Sequence, residues 1–475
     1  MHVSTRRLPR HSSTLTRAAV RQACRVEPLE GRTLLSTTWG TFSDLPLTNL
    51  PGFTFNKMTV DPSGNVYVVG TYTGASSWGR GIALEKAAGS STWTTILDLG
   101  ISTATTEFQA VTANALGDVY IAGRNGATAH HTIWERSAGQ SNFAVVDDFA
   151  AGRYFGDLTI DAAGNVFAVG SEIYPTKNSP FTTHWIVRKR VNGQGPFTNV
   201  DDTGEGTTAR AITIVGGSGS NAGIYVVGQT NNTATATAIV RKSTNGGVSW
   251  TDVDHFLFDP ATSGGCVPLA MTTDSAGDVF VVGGGFKGTL TGGNKTHPTY
   301  SYAENWLVRE TTDGGATWTL RDSTVPGEAR AAGYNPVTGT VYVAGWASET
   351  DSTTGLLRQH SLIRSNLGGT FATEDDFQLV PGKYASADGF GVDASGNLFV
   401  GILADDSTGP HLLLRTPTST LTPAAATFSA VTIASASASS PAVSAATEFF
   451  SPAQVTSEAG PHHGRLRQPR LQILA

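Results

Sequence analysis

Charged residues are scarce in this chain. They make up 15% of its 475 residues, whereas soluble domains usually contain about 25%. A protein built from helices with wide charged faces would need more of them, so the shortage argues against that class. Glycine, in contrast, is abundant, with 55 residues. This balance favours many strands that are buried on both faces and joined by tight turns.

Cysteine and long apolar runs are also lacking. Cys24 and Cys266 are the two cysteines of the chain, too few for a framework of disulfides, and they leave the cellular compartment open. No apolar run approaches the roughly 18 residues of a membrane-spanning helix. The N-terminus lacks the apolar core of about 7–15 residues that an ordinary secretory signal contains. We therefore expect no transmembrane segment and no conventional signal peptide.

The net charge of -6 is unevenly distributed. Residues 1–36 carry +5, residues 461–475 carry +3, and the body of the chain, residues 37–417, carries -12. Nucleic-acid binding depends largely on neutralising phosphates, which an acidic body does not do. The sequence therefore predicts no nucleic-acid partner, and the basic ends are interpreted as address labels or solvated tails.

One motif recurs seven times along the body of the chain. It begins as "VDPSGNVYVVG" at residues 60–70 and returns as "NALGDVYIAG", "DAAGNVFAVG", "GSNAGIYVVG", "DSAGDVFVVG", "NPVTGTVYVAG" and "DASGNLFVG". The intervals between the aromatic residues of the copies are 53, 47, 58, 55, 62 and 57 residues. Glycine beside Asn or Asp is typical of a tight hairpin turn, and the apolar strand that follows suggests neighbours on both faces.

Each repeat contains a second hairpin, such as "AIVRKSTNGGVSW", whose last strand opens on an aromatic residue and carries an acid four or five positions later. Four strands per repeat is the composition of a propeller blade. The first outer strand, at residues 37–45, precedes the first inner hairpin, and the strand that ends near Thr416 has no partner after it. We therefore predict an all-β, seven-bladed β-propeller over residues 37–417, closed by its N-terminal strand and flanked by a basic arm (1–36) and an Ala/Ser/Thr/Pro-rich tail (418–475).

The repeats resemble those of seven-bladed β-propellers from secreted bacterial proteins, over about residues 51–416. The turns "STNGGVSW" (243–250) and "TTDGGATW" (311–318) resemble the Asp-box of sialidases and of many propellers that are not enzymes. The structural interpretation is a turn in which Asn245 or Asp313 binds its own backbone, and the alternative is a catalytic role.

The N-terminal stretch "VEPLEGRTLLS" (26–36) resembles the LEPR-XLL motif found near the start of many large bacterial proteins. The resemblance implies export or association with the cell surface. The alternative is a basic arm without a specific role.

Catalytic signatures are not recognisable. A sialidase-like enzyme would need an arginine cluster and a Tyr and Glu pair, and the "R-I-P" motif of that family is absent from the first repeat. Five arginines recur on third strands, where we expect cross-strand ion pairs with the outer-strand acids: Arg188, Arg241, Arg309, Arg364 and Arg415. Four histidines at the entry of third strands lie in different blades, too far apart to share a metal ion: His131, His184, His360 and His411. No cofactor is predicted.

Binding is the better-supported hypothesis, on position. Polar residues at the start of the inner strands should surround the mouth of the channel: Asn56, Gln109, Asp157, Arg210, Arg330 and Asp388. Loops on the same side should carry aromatic residues: Trp78, Tyr154, Tyr174, Tyr300, Tyr302, Trp346 and Tyr384. The longest of these loops is expected over residues 284–305. Aromatic and polar groups around a concavity suit glycan or peptide recognition.

The sequence thus favours a monomeric, exported or cell-surface module that recognises an extracellular glycan or protein without catalysis. The alternative is a sialidase-like or other glycan-active enzyme on a propeller scaffold. An enzyme would need two carboxylates about 5–10 Å apart. Among residues at the start of inner strands, only Asp157 and Asp388 are acids, and they lie three blades apart.

Overall fold

Twenty-eight β-strands make up seven antiparallel sheets of four strands in the described part of the chain. The computed structural model describes residues 38–418, except residues 49, 51, 75–77, 101–103, 175–181, 231–234, 295–296 and 351–356. The predicted basic arm with its LEPR-XLL-like motif, and all of the predicted tail but Thr418, lie outside these residues. Within the described ranges, no helix is long and apolar enough to cross a membrane.

The strands are numbered in chain order, and in blades one to six the innermost strand is the first of the four. In the seventh blade it is the first of the three C-terminal strands, because the N-terminal strand is the outermost. The closing strand is β1 (Trp39–Pro46); blades one to four contain β2 (Phe53–Val60), β3 (Val66–Tyr72), β4 (Arg80–Lys86), β5 (Thr94–Asp98), β6 (Glu107–Ala113), β7 (Val119–Arg124), β8 (His131–Arg136), β9 (Ala144–Phe149), β10 (Gly152–Ile160), β11 (Val166–Tyr174), β12 (Thr182–Val191), β13 (Gln194–Glu205), β14 (Thr207–Val215), β15 (Gly223–Thr230), β16 (Ala238–Ser243) and β17 (Thr251–Phe256). Blades five to seven contain β18 (Cys266–Thr273), β19 (Val279–Asn294), β20 (His297–Thr311), β21 (Thr319–Asp322), β22 (Gly327–Asn335), β23 (Thr340–Thr350), β24 (Leu357–Ser365), β25 (Ala372–Phe377), β26 (Ala385–Val392), β27 (Leu398–Asp405) and β28 (Pro410–Pro417).

The N-terminal strand closes the ring, as predicted. Strand β1 pairs with β28 as the outermost strand of the seventh blade, with Trp39 opposite Pro417 and Asp44 opposite Leu413. The inner strands β2 and β26, from the first and last blades, are also in contact. This pairing removes the free edge that β28 would otherwise expose.

The core lies between the blades. Along β3, Val66 and Val68 belong to a buried cluster that includes Leu412 of the last blade, whereas Tyr67 and Val69 belong to one that includes Phe108 of the second blade. Alternate residues of a strand face opposite sides, so each second strand is covered by a blade on either side. The apolar character of the repeated motif follows from this, and the prediction of neighbours on both faces is confirmed.

Ion pairs also join the blades, and here the sequence-based prediction was wrong in detail. We expected the third-strand arginines to pair across strands with the regularly placed outer-strand acids. Each reaches a carboxylate on the outer strand of the preceding blade, at 2.7–3.0 Å, and Arg241 in addition pairs across strands with Asp252 of its own blade. The pairs are Arg188–Asp147, Arg241–Asp201, Arg309–Asp254, Arg364–Asp322 and Arg415–Asp375.

In three of these pairs the acid lies one residue before the one that we expected, because adjacent residues of a strand face opposite directions. Asp147 meets the arginine of the next blade, and Asp148 meets His130 of its own blade at 3.0 Å. His184, His360 and His411 contact Asp202, Asp376 and Asp44 in the same way. In the second blade His130 has this role instead of His131, whose Nδ1 lies 2.8 Å from the carbonyl oxygen of Gly152.

We predict that Asp147→Ala destabilises the fold by about 3–5 kcal/mol, since it leaves the buried Arg188 guanidinium without its carboxylate. The Asp147 side chain is 10% exposed. Asp148→Ala is the matched control: that side chain is 46% exposed, and its loss should cost less than about 1 kcal/mol. Urea unfolding of both variants measures the difference, and equal losses would contradict the inter-blade role of Asp147.

Candidate functional site

Every inner strand contains a β-bulge at the same height. In β2 the pairing passes from Phe55 to Lys57, so that Asn56 is an extra residue without a partner on β3. The corresponding interruption occurs in β6, β10, β14, β18, β22 and β26. The seven extra residues are Asn56, Gln109, Gly156, Arg210, Leu269, Arg330 and Asp388. A bulge re-aims a side chain out of the sheet, and here it does so around the channel.

The last glycine of the repeated motif permits this bulge. Gly70 of β3 lies opposite Phe55, and a Cβ atom on Gly70 would collide with the carbonyl oxygen of Thr54. Five other glycines meet an inner-strand carbonyl in the same way: Gly123, Gly170, Gly228, Gly283 and Gly345. The seventh blade is the exception, since Ile402 takes the position opposite Ala387 and Gly401 is shifted by one residue. The register differs at the point where the last copy of the motif is one residue shorter than the others.

The extra residues surround a cavity of about 350 Å³ at the channel mouth. All seven line it, together with Phe55, Lys57, Glu107 and Tyr154. Five of the six polar residues that the sequence suggested are therefore in this lining. They do not begin their strands, however, but lie at the bulges within them. We call the side of the ring on which the inner strands begin the mouth face.

Asp157 is the polar residue that was assigned wrongly, because the extra residue of the third blade is Gly156 and Asp157 returns to the ladder opposite Val169. Its carboxylate accepts a hydrogen bond from the amide of Leu158 at 3.0 Å. It also lies 3.2 Å from Nζ of Lys57. Lys57 belongs to the first blade and Asp157 to the third, so this ion pair joins two blades that are not adjacent in the ring.

Several polar side chains of the ring bind the next blade. The Asn56 amide donates to the carbonyl oxygen of Phe108 at 2.7 Å, and the Gln109 carbonyl accepts from the amide of Phe155 at 3.1 Å. Arg330 and Asp388 form an ion pair at 3.1 Å. The bulge residues therefore hold adjacent blades together while they form the wall of the cavity.

Charges of both signs lie close together at the mouth. The cations are Lys57, Arg210 and Arg330, and the acids in or beside the lining are Glu107, Asp157, Asp388 and, against Arg330, Glu328. The Arg210 guanidinium lies 5.1 Å from the centre of the Tyr154 ring, a cation–π arrangement. Burial raises the pKa of Glu107, although Arg124 and a hydrogen bond from Gln109 oppose the shift. Such a wall offers hydrogen-bond donors and acceptors without a strong net charge.

A pair of carboxyl groups beside the cavity was missed from sequence. The Glu304 carboxyl group donates a hydrogen bond to Glu328, which also accepts one from the Trp346 indole. Arg330 Nε lies 3.3 Å from the Glu328 carboxylate. Burial raises the pKa of Glu304 to about 7, and the charge of Glu328 contributes. The expectation that Asp157 and Asp388 were the relevant acids was therefore incomplete. Glu304 and Glu328 belong to different blades and share no motif.

The predicted aromatic residues lie on this face, but mostly within strands. Tyr154, Tyr300, Tyr302 and Trp346 belong to β10, β20 and β23. The described residues of the loop expected over 284–305 are paired in strands β19 and β20 instead. Trp78 and Tyr384 lie outside strands, and the Trp78 side chain is 47% exposed. The side chain of Tyr174, the last residue of β11, lies outside the described ones.

The opposite side of the ring, where the repeated turns lie, offers less chemistry. A cavity of about 670 Å³ between blades two and three is lined by turn residues such as Asn114 and Asp161. Asp161 accepts hydrogen bonds from the amides of Ala163 and Asn165 at 2.9 and 2.8 Å, so its carboxylate is occupied by the turn. In the Asp-box-like turn, hydrogen bonds from Thr317 lower the pKa of Asp313 to about 2. Among the described residues, no cluster of His, Cys, Asp and Glu could hold a metal ion.

Comparison with known proteins places the chain in no family. No protein-family model matches the sequence, and no curated protein matches it. Among solved structures, it is similar to an ulvan lyase (12% identity, TM-score 0.45, 63% of this chain and 78% of that chain). It is also similar to an α-L-arabinanase of Penicillium chrysogenum (13%, 0.42, 81% and 99%) and to the endosialidase of phage phi92 (9%, 0.41, 80% and 69%). Likeness at this level does not bear on the ligand of this chain.

We predict that Gly170→Ala lowers the free energy of unfolding by roughly 1–3 kcal/mol, because the added methyl group would displace the Tyr154 carbonyl from the bulge. Gly292→Ala is the control: its added Cβ has nothing within 4 Å, and its effect should stay within about 0.5 kcal/mol. Chemical denaturation compares the two variants. If Gly170→Ala unfolds like the control, the glycine is not what the bulge requires.

Proposed function

We propose that this protein is a non-catalytic, exported recognition module that binds an extracellular glycan or protein at the mouth face. The observation that carries this proposal is the ring of bulges, which places six side chains and Gly156 around a single cavity at the mouth of the channel. Side chains on strands that are held by neighbouring blades keep their positions without a ligand. Preorganised polar groups of this kind provide specificity at low entropic cost.

The balance of charge at the mouth favours an uncharged polar ligand, and we therefore favour a neutral carbohydrate over a strongly charged polymer. Tyr154 adds an aromatic surface beside Arg210, and rings supply apolar contact to the faces of sugars. Amide and carboxylate groups nearby suit hydroxyl groups, which both donate and accept hydrogen bonds. Export is inferred from the N-terminal resemblance.

The second candidate is a glycan-active enzyme, and the Glu304–Glu328 pair is the observation that favours it. A carboxyl group that stays protonated near neutral pH can act as a general acid. Glycosidases, however, separate their two carboxyl groups by at least about 5 Å, whereas Glu304 and Glu328 share a hydrogen bond. Asp388, the other buried acid, is held by Arg330 and Ser386. Binding without turnover therefore fits this arrangement better.

We predict that residues 38–418 bind a set of neutral glycans on an array, and that Tyr154→Ala weakens binding at least about tenfold through the loss of aromatic contact. Arg321→Gln, on an outer strand, removes a cation away from the channel and should leave binding unchanged. The same glycans are assayed for cleavage products. Turnover that disappears in Glu304→Gln would establish the enzyme instead, and an array without any bound glycan would leave protein recognition as the surviving form of the proposal.

A further inference from the structure

The hairpin of the fifth blade is longer than those of the other blades. Strands β19 and β20 contain 16 and 15 residues, and their pairing continues to Asn294 opposite His297. In the other blades the second strand has 6–11 residues. We call residues 286–294 and 297–304 the hairpin extension. It projects from the mouth face, and the Leu290 side chain is 63% exposed.

One contact of the hairpin extension is with the connection between the fourth and fifth blades. The Asp259 carboxylate accepts a hydrogen bond from the amide of Gly288 at 3.1 Å. The Tyr302 hydroxyl donates to the carbonyl oxygen of Thr262 at 2.8 Å. Hydrogen bonds lower the pKa of Asp259, so the first of these bonds does not change near neutral pH; the second joins a hydroxyl group to a backbone carbonyl.

The second contact is with the sixth blade, and it depends on a proton. Glu304 lies on the same face of β20 as Tyr300 and Tyr302, since alternate residues share a face. Its carboxyl group donates to Glu328 on β22. A carboxyl group can donate this bond only while it is protonated. Once both groups are ionised, two neighbouring carboxylates repel each other.

The charged groups around this contact are few. From β22, Arg330 lowers the pKa of both acids, and from β26, Asp388 raises that of Glu328. Tyr384, on the connection before β26, is neutral because burial raises its pKa above its usual range. From β19, Gly284 faces Glu304 with no side chain. A single cation therefore faces three acids, and this shortage of positive charge adds to the effect of burial, which is the main reason why Glu304 keeps its proton.

We propose that the Glu304–Glu328 hydrogen bond is a pH-sensitive brace, which fixes the hairpin extension against the sixth blade while Glu304 is protonated and releases it when both acids are ionised. Burial and the neighbouring Glu328 raise the pKa of Glu304 to about 7, so the change falls around neutral pH. Tyr300, whose ring centre lies 6.4 Å from that of Tyr302, belongs to the part of the hairpin extension whose position would change with pH, whereas the Tyr302 hydroxyl keeps its bond to Thr262.

The direction of the pH effect follows from the number of protons that the braced and released forms of the hairpin bind. In the released hairpin Glu304 should titrate near its ordinary value of 4.5, and in the braced hairpin near 7. Between these values the braced form binds more protons, so raising the pH favours the released form. Protection of the hairpin extension should therefore fall about tenfold or more between pH 5.5 and pH 8.

Hydrogen exchange measured by mass spectrometry on the whole chain tests this, with rates corrected for the intrinsic effect of pH and compared over residues 286–304. The wild type should lose protection across neutral pH. Glu304→Gln, whose amide still donates to Glu328 but cannot ionise, should stay protected throughout. Glu304→Ala, which has no donor, should be unprotected at every pH. Glu349→Gln, which removes an exposed acid from β23, should keep the wild-type profile.

A flat profile for the wild type, or a fall in protection that persists in Glu304→Gln, would overturn the proposal. If Glu304→Gln does not fold, the comparison of Glu304→Ala with the wild type at pH 5.5 decides: equal protection would overturn the brace, and lost protection in the variant would support it. No ligand is used in these measurements. Their outcome is therefore independent of whether the mouth face binds a glycan.

Discussion

The structure depends on the close approach between an inner-strand carbonyl and a glycine of the second strand. At Gly70 the carbonyl of Thr54 occupies the space that a side chain would need. This approach allows the inner strand to accommodate one extra residue, which then leaves the ladder and faces the channel. Repeated in six of the seven blades, it converts a structural irregularity into a set of side chains that meet in one cavity.

The same extra residues connect the blades, so that the rigidity of the ring and the lining of the cavity depend on the same side chains. Asn56 and Gln109 each bond to the backbone of the following blade, and farther from the channel the Arg188–Asp147 pair does the same between third and outer strands. Buried ion pairs contribute little net stability but penalise any arrangement that separates them. They therefore select one register between blades that are otherwise held by non-directional apolar packing.

Single residues show how far the site could be predicted. Gln109 and Arg330 were found because each is a polar residue near the start of an inner strand, and they do line the cavity. Asp157 is also polar and lies near the start of its strand, yet the bulge falls one residue earlier, at Gly156. Because adjacent residues of a strand face opposite sides, this offset of one residue decides which of the two leaves the ladder. Glu304 and Glu328 could not be found by pattern. Their carboxyl groups meet because a long hairpin of the fifth blade lies beside the inner strand of the sixth, and no repeat marks that contact.

By itself, the sequence determined the number of blades, the four strands of each and the closure by β1, because the period of the motif and the order of its hairpins are local and repeated seven times. It also determined that both faces of the second strands are buried. Only the tertiary structure decided which side chain enters the channel, which acid meets each arginine and that Glu304 shares its proton with Glu328. These outcomes depend on a one-residue offset and on contacts between blades, and such contacts are set by packing in three dimensions rather than by the pattern of any single repeat.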